Sequence, residues 1–369
     1  MGALPMLFDP RPKEKREDIF DREQEIEMIK NSAKEYPITL ILGIRRVGKS
    51  SLLKVVLNEL ESGIYIDVRK LHFDSGGWIT NESLLKAFEN GLNSLSHPIK
   101  REVFQYLKRV RGVSIAGLQL SFEPKVSLSE ILEALNKRSG VIIAFDEAQY
   151  LRFYGRRGGK EFLTLVAYAY DNLPNISFIF TGSEIGLLHD FIGVSDYESP
   201  LYGRIYNEIT ISPFSKELSI EFLRQGFVEA GIKIREEEIE HAAELLGGIP
   251  GWLVEFGYNY IKTKSFENAI KGVMRKAEKF LEGELRELEK RSPRYILVLR
   301  AISMGFDRWT LIKEFLESRS GKIPNSRLAA ILEALQKMSW INAEYRDGEK
   351  RYRIIDPVIE KVIKERFNL

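Results

Sequence analysis

Eight consecutive residues have the types and order needed to hold a chain of phosphates. Gly43-Ile44-Arg45-Arg46-Val47-Gly48-Lys49-Ser50 fits G-x-x-x-x-G-K-[ST]. Glycines let backbone N–H groups close on phosphate oxygens, and a helix opening just after the loop turns its positive end to the same place. Lys49 is expected to reach the β- and γ-phosphates, and the Ser50 hydroxyl to ligate Mg²⁺. Gly43, Arg45, Arg46, Val47, Gly48 and Ser51 complete the expected nucleotide cradle, although both arginine side chains are free to face solvent or a partner. A second magnesium anchor is needed at the end of a neighbouring strand. The apolar run Val141–Phe145 ends in Asp146-Glu147. Asp146 suits the metal, held through water, and Glu147 is placed to polarise an attacking water. Two acids after a strand also occur as helix caps, but the phosphate loop about 100 residues upstream favours the chemical role.

The elements around these residues fit that chemistry. Ile38–Leu42 is a short buried strand by length and branching, and a helix from Lys49 to Glu61 follows the loop. Asp21–Lys34 reads as an earlier helix with Asp21 as its N-cap. Further strands are expected at Gly63–Val68, Val141–Phe145, Ile176–Thr181 and Tyr206–Ile211. Helices are expected at Asn81–Leu95, Leu128–Lys137 and Lys160–Asn172. Strands alternating with helices imply an α/β fold, a parallel sheet with helices on both faces. The segment 97–126 has no clear assignment, except that Val113–Phe122 alternates weakly, like a hairpin.

Beyond Pro213 the strand signals stop. Lys216–Ala230, Glu236–Leu246, Trp252–Ile261 and Ser265–Glu289 read as an all-α lid. Then Arg294–Met304, Thr310–Ser318 and Asn325–Met338 precede two short strands, Ile341–Tyr345 and Lys350–Ile354, joined through Asp347-Gly348. Three helices and a hairpin suggest a winged helix-turn-helix. The expected division is an N-terminal arm at 1–18, a P-loop core at 19–212, the lid at 213–289 and the winged helix at 290–369.

Composition narrows the classes. With 44% apolar and 29% charged residues, the chain can bury real cores. It has no cysteine and four histidines, which excludes disulfides, thiolate metal sites and a cysteine nucleophile. No apolar run approaches the roughly 20 residues that span a bilayer. No signal-peptide order opens the chain, so no membrane partner and a cytoplasmic location are expected. The net charge is +2. From Lys290 to Leu369 there are 17 Lys/Arg and 10 Asp/Glu, net +7, so the rest carries −5.

Taken as a set, these motifs resemble the archaeal ATPase family of the AAA+/STAND P-loop clade, relatives of the origin-recognition ATPases. The resemblance spans most of the chain. It includes Phe20-Asp21-Arg22-Glu23-Gln24-Glu25, the Walker A loop, and the Walker B segment Phe145-Asp146-Glu147-Ala148-Gln149. It continues through Phe180-Thr181-Gly182-Ser183, Pro200-Leu201-Tyr202-Gly203-Arg204 and Gly247-Gly248-Ile249-Pro250-Gly251-Trp252. It implies ATP/ADP and Mg²⁺ as cofactors, hydrolysis to ADP and phosphate, and a sheet with an extra strand between the Walker motifs. By resemblance, Ile19, Phe20 and Arg22 line one side of the adenine pocket and Pro250 the other. Thr181 or Ser183 senses the γ-phosphate. Arg204 senses or stabilises it, in cis or from a neighbour. No lid arginine is evident near Gly248–Leu253, which leans toward a nucleotide-gated switch.

The winged helix offers Ser326 and Arg327 on its third helix and Arg346, Lys350, Arg351 and Arg353 on its hairpin. Such residues suit duplex DNA, and the same face suits a protein partner.

Overall fold

The computed structural model describes residues 7–61 and 63–366. By packing, the chain divides into two compact units. One is Pro12–Ile211; the other is Ser212 onward together with the residues before Pro12.

The first unit contains α1 (Glu23–Glu35), β1 (Ile38–Leu42), α2 (Lys49–Leu60), β2 (Gly63–Asp67), α3 (Val68–Asp74), α4 (Asn81–Asn93) and α5 (His97–Leu107). It continues with β3 (Val113–Ala116), β4 (Gln119–Phe122), α6 (Leu128–Leu135), β5 (Val141–Asp146), α7 (Lys160–Asn172), β6 (Ile176–Gly182), α8 (Ile185–Ile192) and β7 (Asn207–Thr210). Five strands form one parallel sheet in the order β2-β5-β6-β1-β7. β6 therefore lies between the strand that carries the phosphate loop and the strand that ends in Asp146. β1 and β5 are buried along their whole length, as strands covered on both faces must be. One face packs Ile41, Ile142, Ala144 and Ile179 against α1 and α2. The other packs Leu40, Phe145, Phe178 and Phe180 against α4 to α8.

Several expectations change. Asp21 does not cap α1. It sits at φ +47, and Arg22 holds the cap position without a side-chain bond. The unassigned segment forms α5 and the hairpin β3-β4. In α5, Ile99, Val103, Phe104 and Leu107 make the buried face, a helical spacing that was present to be read. α3 and α8 were not expected; at seven and eight residues they are too short for a full period to stand out.

The second unit contains α9 (Lys216–Glu229), α10 (Glu236–Leu246), α11 (Pro250–Thr263), α12 (Phe266–Arg291), α13 (Arg294–Ser303), α14 (Trp309–Ser320), α15 (Asn325–Lys337), β8 (Ile341–Arg346), β9 (Glu349–Ile354) and α16 (Pro357–Arg366). α13 to α15 and the β8-β9 hairpin form the winged helix. The hairpin turns through Asp347 and Gly348, both at positive φ, as a two-residue turn of the right twist requires. α16 was not expected. It buries Val358, Ile359, Val362 and Ile363. Asp356 caps it and also accepts from Trp252 Nε1 of α11 at 2.9 Å. That bond ties α11 to the start of α16 within one unit.

Phe8 belongs here as well. Its ring is fully buried beside Phe222 and Phe227. It fills space left by Gly226 and Gly257, where a Cβ would fall within 2.4 Å of the ring. Among the described residues no helix is long and apolar enough to cross a membrane.

Candidate active site

The loop leaves the C-terminal end of β1. At Gly43 (φ +153) a Cβ would lie 2.4 Å from the backbone oxygen of Ile211, so only glycine fits. Arg46 and Gly48 take positive φ and turn the chain into α2. Gly48 gives α2 no side-chain cap, which leaves the helix's first N–H groups facing the loop. Val47 is buried in the α1–α2 core, with Ile44 packed beside it, so Val47 offers a phosphate only its backbone.

Lys49 is 5% exposed. Its Nζ donates to the carbonyls of Gly43 at 2.6 Å and Ile44 at 3.0 Å. Burial pushes its pKa down, opposed by the charges of Glu147 and Asp146. Asp146 ends β5, also buried. The Tyr65 hydroxyl donates to its Oδ2 at 2.8 Å and the Thr181 hydroxyl donates to its Oδ1. Burial, then Asp146, pushes the Tyr65 phenol far above its usual range. Glu147 follows in left-handed backbone (φ +55). Its N–H donates to Thr181 Oγ1 at 3.1 Å. Its Oε2 accepts from the Ser183 hydroxyl at 2.6 Å, the Ser183 N–H at 3.2 Å and Gln149 Nε2 at 2.6 Å. Burial acts to raise the Glu147 carboxyl. Lys49 and the bonds from Ser183 and Gln149 outweigh it, and the group is held below its ordinary value.

Loop, Lys49, Ser50, Asp146, Glu147, Thr181 and Ser183 thus meet at the C-terminal ends of β1, β5 and β6. Other expected residues are engaged elsewhere. Arg45 Nη2 pairs with Glu184 at 3.0 Å. Ser51 Oγ accepts the Lys13 N–H at 3.1 Å. Arg22 is buried against Glu25, and Ile19 packs on the α1–α2 core with Phe20 half-buried next to it. Pro250 opens α11 in the other unit, after Gly248 at φ +70.

Arg204 is not beside the loop of its own chain. Its Nη2 pairs with Asp171 at 2.6 Å, its Nη1 donates to the Pro200 carbonyl, and it lies over the Tyr170 ring. Asp171 closes α7 just before β6 begins, and β7 starts beside Thr39 at the start of β1. Arg204 is therefore at the N-terminal edge of the sheet. About 15 Å of strand separates it from the phosphate loop.

Over residues 19–256 the sequence matches the family described as the ATPase domain predominantly from Archaea. The chain belongs to this archaeal ATPase family. Residues 289–355 match the MCM protein C-terminal winged helix-turn-helix domain. A solved Walker-type ATPase of Pyrococcus abyssi is 50% identical, with a TM-score of 0.86 over 97% of this chain and 99% of that one. The Aeropyrum pernix ORC2 protein, solved as ADPNP–ADP complexes, is 13% identical with a TM-score of 0.63 over 99% of both chains, a likeness of fold. No curated protein matches. This archaeal ATPase is a P-loop, nucleotide-binding enzyme.

The sequence reading did not single out Tyr65, Asp67, Arg69 or Gln149. Asp67 pairs in register with Asp146 and accepts the Lys70 N–H at 2.8 Å. Burial raises its carboxyl above the usual range, against the Lys70 bond, and Asp146 adds to the rise. The signal was the alternation Tyr65–Asp67, which aims both residues at the side of β2 that Asp146 occupies on β5.

Proposed function

We propose that this archaeal ATPase hydrolyses Mg²⁺-bound ATP to ADP and phosphate, and that the second unit responds to the nucleotide state. The observation that carries this is the convergence of Lys49, Asp146 and Glu147 on one loop. Lys49 and the loop N–H groups would bind phosphate oxygens. Glu147, ionised and aimed by Ser183 and Gln149, would accept a proton from the attacking water. Thr181 would keep Asp146 and the Glu147 backbone in register. Ser50 and Asp146 would hold Mg²⁺, which neutralises phosphate charge when bound; one hydroxyl and one carboxylate suit a cation that keeps several waters. Ile19, Phe20 and Arg22 would border adenine.

Steady-state hydrolysis tests the reading. Lys49→Ala should abolish binding or turnover. Glu147→Gln should bind nucleotide and lose turnover; wild-type rates in that variant would sink the assignment.

For the winged helix, a protein partner is favoured over duplex DNA by one feature. Its hairpin arginines are already engaged: Arg351 with Asp307, Arg353 with Asn342, Arg346 with Glu344, and neighbouring Arg308 with Glu349, while Lys350 lies over the Tyr352 ring. Paired arginines release fewer counterions from a phosphate backbone. In this reading the enzyme is a nucleotide-gated switch with slow turnover. Small-angle scattering that gives one shape with ADP and with a non-hydrolysable ATP analogue would count against gating. Duplex DNA that stimulates turnover would favour the nucleic-acid reading.

A further inference from the structure

Around the phosphate loop, nearly every cation has a partner. Lys49 is bonded to loop carbonyls, Arg45 and Arg152 share Glu184, and Arg22 holds Glu25. Arg69 is different. It is exposed, and among the described residues it makes no hydrogen bond or ion pair. Its place is fixed by strand register. β2 ends at Asp67, directly opposite Asp146 on β5, and Arg69 follows two residues later in the first turn of α3.

That register sets Arg69 at the same end of the sheet as Asp146 and Glu147, and its charge favours ionised Asp67 and Glu147 while disfavouring charged Lys49. No carboxylate is bonded to Arg69, and a bound polyphosphate would supply an anion for it. The loop and Lys49 hold the phosphates out to the γ, and Glu147 must stand beside that outermost one if it is to direct water there. A cation whose charge acts on both Lys49 and Glu147 is on the outer side.

We propose that Arg69 contacts the γ-phosphate from within its own chain and makes the site prefer a nucleoside triphosphate to a diphosphate. This rests on the reading that nucleotide binds at the loop. It gives the enzyme an internal γ-phosphate cation from the sheet, where the lid segment Gly248–Leu253 has no arginine.

The test is equilibrium binding to the full chain by calorimetry, using a non-hydrolysable ATP analogue and ADP. Wild type, Arg69→Ala and Arg69→Lys are compared. Arg69→Ala should weaken the triphosphate analogue by about 10- to 100-fold, the scale of one charge-assisted contact, and leave ADP within about twofold. Arg69→Lys should recover part of the loss. An exposed arginine without bonds should leave the unfolding midpoint unchanged, so misfolding is checked in the same samples. Equal losses for both nucleotides, or no loss for either, overturn the assignment while leaving nucleotide binding intact. Wild-type protein that binds neither nucleotide overturns both.

Discussion

Tyr65 and Asp146 are joined across two strands: the phenol donates to the carboxylate at 2.8 Å. With Thr181 on the other oxygen, Asp146 is gripped by hydroxyls from β2 and β6. An acid held this way cannot rotate freely, and a metal ligand benefits from such orientation. Tyr65→Phe should cost about 1.5–3 kcal/mol of stability, the range for a hydrogen bond to a charged group. It should also shift the Mg²⁺ concentration that half-saturates turnover several-fold, with less change in the maximal rate. Chemical denaturation and a Mg²⁺ titration check both. An unchanged Mg²⁺ dependence would mean that Thr181 alone orients Asp146.

Acid should reveal a second network. Glu59 on α2 accepts from Arg16 at 2.7 Å and from Lys30 at 2.8 Å. The Arg16 bonds, against burial, and then Lys30 bring its pKa down to about 2. A free glutamate titrates near 4.3. The folded value is the lower one, so its stabilisation is complete above about pH 4.3 and is lost as pH falls toward 2. Glu59→Gln should lower the unfolding midpoint at pH 7. The gap to wild type should close between those two pH values. A gap that persists at pH 2 would show that Glu59 acts by packing rather than by charge.

Phe8 carries the clearest stability prediction. A fully buried phenylalanine truncated to alanine typically costs about 3–5 kcal/mol, and Phe8→Ala should fall in that range by denaturant unfolding. Gly226→Ala and Gly257→Ala should also destabilise, because the new methyl meets the Phe8 ring. A loss under 1 kcal/mol for Phe8→Ala would mean that the segment before Pro12 is dispensable to the helical unit.

Phe8 also marks where the sequence was hard to read. Its neighbours carry no period, and a lone aromatic in a Pro- and Lys-rich arm gives no hint of glycines more than two hundred residues away. By contrast, β1, α7 and α10 have the bounds that their apolar spacing predicts, because local pattern and burial agree there. The phosphate loop was legible for a similar reason: a strand, a glycine turn and a helix N-terminus are contiguous in sequence. Tyr65, Asp67 and Arg69 were not, since only the pairing of β2 with β5 brings them to Asp146. Arg204 was legible by type, whereas its edge of the sheet follows from strand direction.

That edge makes a further prediction. Arg204 faces away from its own phosphate loop, yet exposed Tyr202 and Ile205 flank it on an open surface. If a second copy presents its loop to this surface, Arg204 would offset charge on that copy's γ-phosphate, and its removal would cost orders of magnitude in rate. Arg204→Ala and Lys49→Ala should then each be nearly inactive alone. Mixed together they should recover turnover, because a mixed pair holds one intact loop facing one intact arginine. Asp171→Asn separates this from bracing. A role confined to the Asp171 ion pair predicts the same loss in Asp171→Asn as in Arg204→Ala, with no recovery on mixing. Recovery that rises with total protein concentration, and little loss in Asp171→Asn, is the outcome expected for an arginine acting between chains.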